Sequence, residues 1–406
     1  MDPKTVGREL GVRAIFKGRV TQRGDTLDIS AELIDSRDGS HMWGQRYDRK
    51  FTDMDSLREE IAGEMASALR LRLTPADQKR LIKSSTADPE AYQDYLKGRY
   101  WWNKSTSEGF DKGIEYFQQA IAKDPTYALA YSGLADCYSS LAESGLVPFK
   151  DGYLKAKDAA LKAVALDDTL AEAHGSLALV KSSYDWDWSG ADQEIRRAIE
   201  LNPGYADAHR LHAEVLWQTG RLDEAISENK LTLELDPLSL SSNDTLGTAF
   251  FLARQYDRAI EQMAKTLELD PAFIDAYYFR GMAYMKKSMY REGMAEFEKG
   301  VAISPLNPEA LTGLGYGYAV TGRRTEARKV LDTLAELSPR EYISAVWRAK
   351  IYSGLEDKDQ AFKWLEKATD DRSVVSVGYI KPNPIFDPLR SDPRYADLLR
   401  HTNLQP

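Results

Sequence analysis

Five tripeptides end in proline at a fixed interval: Leu201-Asn202-Pro203, Leu235-Asp236-Pro237, Leu269-Asp270-Pro271, Ile303-Ser304-Pro305 and Leu337-Ser338-Pro339. Successive prolines lie 34 residues apart each time. A constant period of this length marks stacked helix–turn–helix units, none of which can bury its apolar face alone. Proline at the end of each unit stops the second helix, because it lacks the amide proton the helix needs. The chain is therefore expected to be mainly α, a right-handed superhelical solenoid over much of its length. Such arrays present long concave surfaces to partners.

With the proline as position 32, repeats begin at 94, 128, 171, 206, 240, 274, 308 and 342. Position 8 is small in seven of them: Ala135, Ala178, Ala213, Gly247, Gly281, Gly315 and Ala349. Position 20 is small as well, as at Ala225, Ala259 and Gly293. Small residues let the two helices of a unit approach closely. Trp101 breaks the rule in the first repeat, so packing must open or shift there. Between Pro125 and Asp168 the spacing grows to 43 residues, placing an insertion at Glu143 to Asp151. Tyr184-Asp185-Trp186-Asp187-Trp188 fills the turn of the third repeat with aromatics. The expected organisation is eight repeats over 94–373, after a connector over 74–93. A tail over 374–406 covers the apolar end of the array. In it, Lys381 to Pro384 and Phe386 to Pro388 read as extended, and a last helix opens at Ser391-Asp392-Pro393.

Residues 1–73 follow a different pattern. A short helix, Thr5 to Leu10, ends at Gly11. Phe16, Gly18 and Val20 alternate, then Leu27, Ile29, Ala31 and Leu33, with Gly24-Asp25 as a hairpin signal between them. Asp38-Gly39 turns the chain into a third run, Met42 to Tyr47. A three-stranded antiparallel meander follows from this. Thr52-Asp53-Met54-Asp55 opens a helix as a capping box, with Leu57, Ile61, Met65 and Leu69 as its stripe. An outer strand of such a sheet leaves backbone groups unpaired, so pairing through it with another chain or segment is expected.

The charge is uneven. Residues 1–80 carry 15 Lys and Arg against 14 Asp and Glu, and the rest carries 39 against 49. An acidic repeat region argues against nonspecific binding to nucleic acid. A single cysteine, Cys137, excludes an internal disulfide and reads as a small buried hydrophobe. The absence of a long apolar run implies no membrane insertion, and the opening residues lack a secretory leader. The chain is expected to be cytoplasmic, or extracytoplasmic if a longer gene product supplies an upstream membrane segment. No phosphate-cradling glycine loop or nucleophile elbow occurs, so neither catalytic residues nor a cofactor is expected. His209 and His212 stand at metal-ligand spacing, but His209 falls on a packing position without a third ligand, and no metal is assigned.

The first helix of each repeat should line the concave face through positions 2, 5, 9 and 12. Acids recur there: Glu172, Asp207, Glu214, Asp244, Asp275 and Glu309. Arg210 and Lys350 are the basic residues among those positions. Aromatic residues and methionines share them, namely Trp102, Trp217, Phe251, Tyr278, Met282, Met285 and Tyr316. Met and aromatics suit adaptable binding surfaces. Trp217, Phe251, Tyr278, Met282 and Met285 are the expected anchors for an apolar or amphipathic segment bearing positive charge. The competing expectation is that they are buried between helices.

Residues 94–373 resemble tetratricopeptide-repeat proteins. Gly7-Arg8-Glu9-Leu10-Gly11, Gly18-Arg19-Val20, Ala31-Glu32-Leu33-Ile34-Asp35 and His41-Met42-Trp43 with Arg46-Tyr47-Asp48-Arg49 resemble the second half of a TolB-like amino-terminal domain. The family domain has a strand and a helix before that point, and this chain starts after them. In bacterial signalling proteins such a domain often precedes these repeats, downstream of a kinase, an adenylate cyclase or a winged-helix domain. The resemblance implies a non-enzymatic protein-interaction scaffold from a bacterial regulatory system. The alternative it implies is the sensory part of a longer kinase, cyclase or transcription regulator.

Overall fold

The structure is a computed structural model that describes residues 2–24, 26–50, 54–69, 86–338, 343–372 and 380–405. The capping residues Thr52 and Asp53, most of the connector, and Pro339 lie outside the described residues. The chain divides into two compact units, 1–93 with 123–125, and 94–122 with 126–406.

The first unit begins with α1 (Pro3–Leu10), closed by Gly11 in the left-handed region. Strands β1 (Ala14–Arg23), β2 (Thr26–Asp35) and β3 (His41–Lys50) form an antiparallel sheet in the order β1-β2-β3. The register pairs Val20 with Ile29, Gly18 with Ala31 and Phe16 with Leu33, so these side chains share a face. Helix α2 (Met54–Ala68) packs Leu57 and Ile61 against Leu27, Ile29, Ala31 and Tyr47. Glu64 accepts hydrogen bonds from Trp43 Nε1 (2.9 Å) and the Tyr47 hydroxyl (3.0 Å). Phe16 and Val20 remain 47% and 63% exposed. Among the described residues β1 pairs on one side only.

Eight antiparallel helix pairs follow among the described residues. They are α3 (Pro89–Trp102) with α4 (Ser107–Lys123), α5 (Ala128–Glu143) with α6 (Phe149–Leu166), and α7 (Ala171–Val180) with α8 (Trp188–Leu201). Next come α9 (Ala206–Gln218) with α10 (Leu222–Leu235), α11 (Leu240–Leu252) with α12 (Tyr256–Leu269), and α13 (Ile274–Lys286) with α14 (Tyr290–Ile303). The series ends with α15 (Pro308–Val320) and α16 (Arg324–Leu337), then α17 (Ala345–Gly354) and α18 (Lys358–Asp370). No described helix is long and apolar enough to cross a membrane.

The period has a backbone cause. Asn202, Asp236, Asp270 and Ser304 leave the helix with φ of −142°, −142°, −141° and −139°. A residue before proline is pushed from helical to extended conformation, so each second helix stops at the same place. Ser338 departs from this and stays helical. The other turn is set by one left-handed residue at position 15: Gly220, Arg254, Ser288, Gly322 and Glu356.

The same glycines that mark the repeat make room for rings. Phe297 lies between Gly281 and Gly313, where an added Cβ would stand 2.5 and 2.6 Å from its ring. Phe117 fills the corresponding slot between Gly98 and Gly133. This resolves the exception at Trp101. The small residue of the first repeat is Gly98, one helical turn earlier, and the first helix starts at Pro89 rather than near 94. The insertion of the second repeat is absorbed largely as longer helices, since α5 runs to Glu143 and α6 starts at Phe149.

Candidate functional site

The candidate inner face is the one expected from the first helices of the repeats, which from the second repeat onward fall within 128–354. The structure corrects the expected anchors. Trp217, Phe251, Tyr278, Met282 and Met285 are all at most 4% exposed, and Tyr316 is 5% exposed. They belong to the main apolar core. The reason is that each first helix is flanked by its own second helix and by its neighbours, so the apolar residues at positions 5, 9 and 12 turn between helices. Phe251 meets Phe279 with ring centres 5.8 Å apart, and Tyr278 sits edge-on to Trp347 at 6.3 Å. Trp102 is half-buried; its Nε1 donates to the Ser140 hydroxyl (3.1 Å) and Arg99 lies over its ring.

The polar residues at these first-helix positions are mostly acidic. Asp136, Glu172, Glu214, Asp244, Asp275 and Glu309 are each half-buried, and Asp207 is more open. Arg210 bonds Glu214 at 2.6 Å and stands 3.5 Å from Asp207. Asp136 accepts from the Ser176 hydroxyl (2.7 Å), with Arg99 3.8 Å away. Burial raises the Asp136 carboxyl to about 6, although the Ser176 hydrogen bond and Arg99 pull it back. Burial also raises Glu214, against the pull of Arg210. Asp244 is pushed well up by burial and then by Asp275 and Glu214. Its Oδ1 is buried without a hydrogen-bond partner. Glu309 is raised in the same way by burial and by Asp275. Lys350, 7% exposed, falls to about 8 through burial, although Glu309 and Asp275 hold its proton. These positions form a row of carboxyl groups with few cations among them, and burial makes Asp136, Glu214, Asp244 and Glu309 hold their protons more readily than free carboxyls do.

The histidines have a different task. At position 4, His174 Nε2 lies 2.9 Å from Asp168 O and His209 Nε2 3.1 Å from Pro203 O. Asn243 donates to Pro237 O (3.1 Å) and the Tyr277 hydroxyl to Pro271 O (3.0 Å). The second helix completes the latch. Glu194 stands 2.5 Å from His174, Glu228 2.8 Å from His209, and Gln262 donates to Asn243 at 2.8 Å. His212 shares Glu228 and reaches Asp192 at 3.2 Å. At His174, His209 and Asn243, position 4 thus ties the turn between repeats to both helices of its repeat, and at Tyr277 it ties that turn to the first helix. Period reading alone missed it, because His, Asn and Tyr share no hydropathy; their equal offset from the proline was the available signal.

The tail is also built differently from the extended reading. Residues Pro384–Leu389 form a 3-10 turn, and α19 (Pro393–His401) follows. Ile380, Ile385, Phe386, Leu389, Leu398 and Leu399 are all at most 5% exposed. Rather than covering only the last repeat, the tail reaches back to the third. Trp188 Nε1 donates to Thr402 O (2.9 Å), and Asn403 donates to Trp186 O (3.3 Å).

Models of the tetratricopeptide repeat match residues 187–239, 245–308 and 344–370. Among curated proteins, the chain is 28% identical over 189 residues to putative adenylate cyclase 3 of Rhizobium meliloti, covering 45% of this chain and 31% of that protein. It is 27% identical over 180 residues to the transcriptional regulator HilA of Salmonella typhimurium, covering 44% and 32%. The chain spans about a third of the length of these relatives. Among solved structures, a monomeric IFIT1 mutant with m7Gppp-AAAA aligns with a TM-score of 0.54 and 15% identity, over 86% of this chain and 75% of that one. The TPR protein YrrB aligns with a TM-score of 0.35 and 22% identity, over 49% and 97%. The fold is a tetratricopeptide-type solenoid with a small N-terminal three-stranded sheet.

Proposed function

We propose that the solenoid is a non-enzymatic protein-interaction scaffold that takes a positively charged segment of a partner on its inner face. The observation that carries the reading is the row Glu214, Asp244, Asp275 and Glu309, in which burial and neighbouring carboxyl groups raise Glu214, Asp244 and Glu309 and Asp244 Oδ1 is unpartnered. A cationic side chain among them would relieve that repulsion and set orientation and on-rate. Because the expected anchors are buried, charge rather than apolar insertion would select the partner.

The test uses a labelled amphipathic peptide rich in Lys and Arg, and its Glu-rich counterpart. The basic peptide should bind, with affinity falling steeply as salt rises. Asp244→Asn with Glu309→Gln should weaken it at least about tenfold, since each lost contact to a buried charge is worth over ~1.4 kcal/mol. Equal binding of both peptides, or no effect of the double substitution, would refute the reading.

A second reading is that these units are the sensory part of a longer bacterial regulator. It is supported by the similarity to the putative adenylate cyclase and to HilA, and by the third of their length that this chain spans. The first unit then reads as part of a TolB-like domain, with the open β1 edge receiving a further strand. An in-frame coding segment upstream of Met1 in the source genome supports this reading, and a stop codon directly upstream overturns it.

A further inference from the structure

The tail crosses the solenoid along one edge. Ser353, at the end of α17, donates to Ile385 O at 2.7 Å. Lys286, the last residue of α13, donates to Pro384 O at 2.8 Å. Arg254, just after α11, holds both carboxylate oxygens of Asp387 at 2.8 and 2.9 Å. The Lys381 side chain lies against Gly220, just after α9. Trp188 and Trp186 then take the end of α19 through Thr402 O, Asn403 and the His401 ring. All five places are the C-terminal ends of first helices, or the turns that follow them, in repeats three, four, five, six and eight.

The receiving end is specialised. After α7 the chain makes a π-helical turn, Lys181–Asp185, and Trp186 adopts φ 54°. Wide turns of this kind free carbonyls from the helix ladder. A carbonyl of this turn and one of its cap are used: Tyr184 O accepts from Arg372 (2.6 Å) and Trp186 O from Asn403. The aromatic turn is thereby accounted for as a socket for the C-terminal end of the chain.

We propose that residues 380–405 are a strap that closes repeats three to eight into one cooperative body and sets the curvature of its inner face. Repeat arrays otherwise depend on nearest neighbours, so that ends open independently. The strap adds a direct link between the third repeat and the eighth, and its release is a switch in the shape of the surface. The meaning of that switch for partner binding rests on the inner-face reading above; the strap itself does not.

Hydrogen exchange on the full chain tests it without a ligand. Trp188→Phe removes the donor to Thr402 O, and Asn403→Gly removes the second link while keeping a residue that tolerates its left-handed φ of 56°. With both changes, exchange should rise at least about tenfold in α17 and α18 as well as in 393–405, because release at one end frees the other. An increase confined to 181–201 and 393–405 would overturn the strap. If the double variant fails to fold, Arg254→Ala is read instead, and an effect limited to 252–258 and 384–390 overturns the proposal in the same way. A chain that binds no basic peptide yet shows the long-range response refutes the inner-face reading and keeps the strap; the reverse pattern does the opposite.

Discussion

Gly281→Ala isolates the packing rule on which the repeat depends. Phe297 is 1% exposed. A methyl at 281 would stand 2.5, 2.8 and 3.0 Å from three of its ring carbons, where ordinary contact begins at 3.4 Å. The ring has no room to retreat, because the backbone of Gly313 presses from the next repeat. Helix propensity favours Ala over Gly by about 1 kcal/mol. Overpacking a rigid site costs about 1–3 kcal/mol, so the net expectation is a loss of about 1 kcal/mol. Gly63, in α2, is the control: a Cβ there meets nothing within 4 Å. Gly63→Ala should therefore slow exchange in its helix by about fivefold, the value of ~1 kcal/mol. Solenoids do not unfold in one step, so the assay is hydrogen exchange over 274–303 and 54–68, not a single melting point. Phe297→Leu in the Gly281→Ala background should recover part of the loss, a coupling of about 1 kcal/mol. Slower exchange over 274–303 in Gly281→Ala would show that the slot has spare room and would refute the argument.

Three further outcomes are expected. The Asp136 carboxyl is raised from 3.8 to about 6 in the fold, so its contribution is complete below pH ~4 and is lost as pH rises through about 6. The local stability of wild type relative to Asp136→Asn, followed by hydrogen exchange over 128–143 from pH 4 to 7, should fall by up to about 3 kcal/mol, reduced by its 18% side-chain exposure; a flat profile refutes the raised carboxyl. Ser288 holds φ 60° at the turn position where other repeats carry Gly220 and Gly322. Ser288→Gly should stabilise the local helix pair by about 0.5–1 kcal/mol, and a loss would show that its side chain has a task. His209→Ala strips partners from Pro203 O and Glu228 and should cost about 1–3 kcal/mol, read by exchange over 203–235.

The sequence made the array legible because its signals are local and repeated. A proline forces the preceding residue out of the helix, and a small residue admits a ring, wherever they recur. The meander was legible for a similar reason, since alternation maps directly onto one face of a sheet. The first repeat begins one turn earlier than the period implies, because Trp101 stands where the period places the small residue, and only Phe117 against Gly98 shows where the slot lies. The extended reading of 381–388 failed because three prolines suit a 3-10 turn as well as an extended chain.

The inner face was half legible, and the missing half has a single cause. A helix in a solenoid is covered on two sides, by its own partner and by its neighbours in the stack, so its exposed strip is narrower than that of a surface helix. Positions 5, 9 and 12 fall on both sides of the boundary. At Trp217, Phe251, Tyr278 and Met282 the side chain is buried in the stack; at Arg210, Glu214 and Asp244 it stays half-buried. Residue chemistry then chooses between the two, because a large apolar group gains from burial while an unpaired carboxylate loses. The same positions in the repeat therefore yield core where the residue is apolar and charge where it is acidic. An inner face read from such an array should be read from its polar residues alone, and here those residues are predominantly carboxylates.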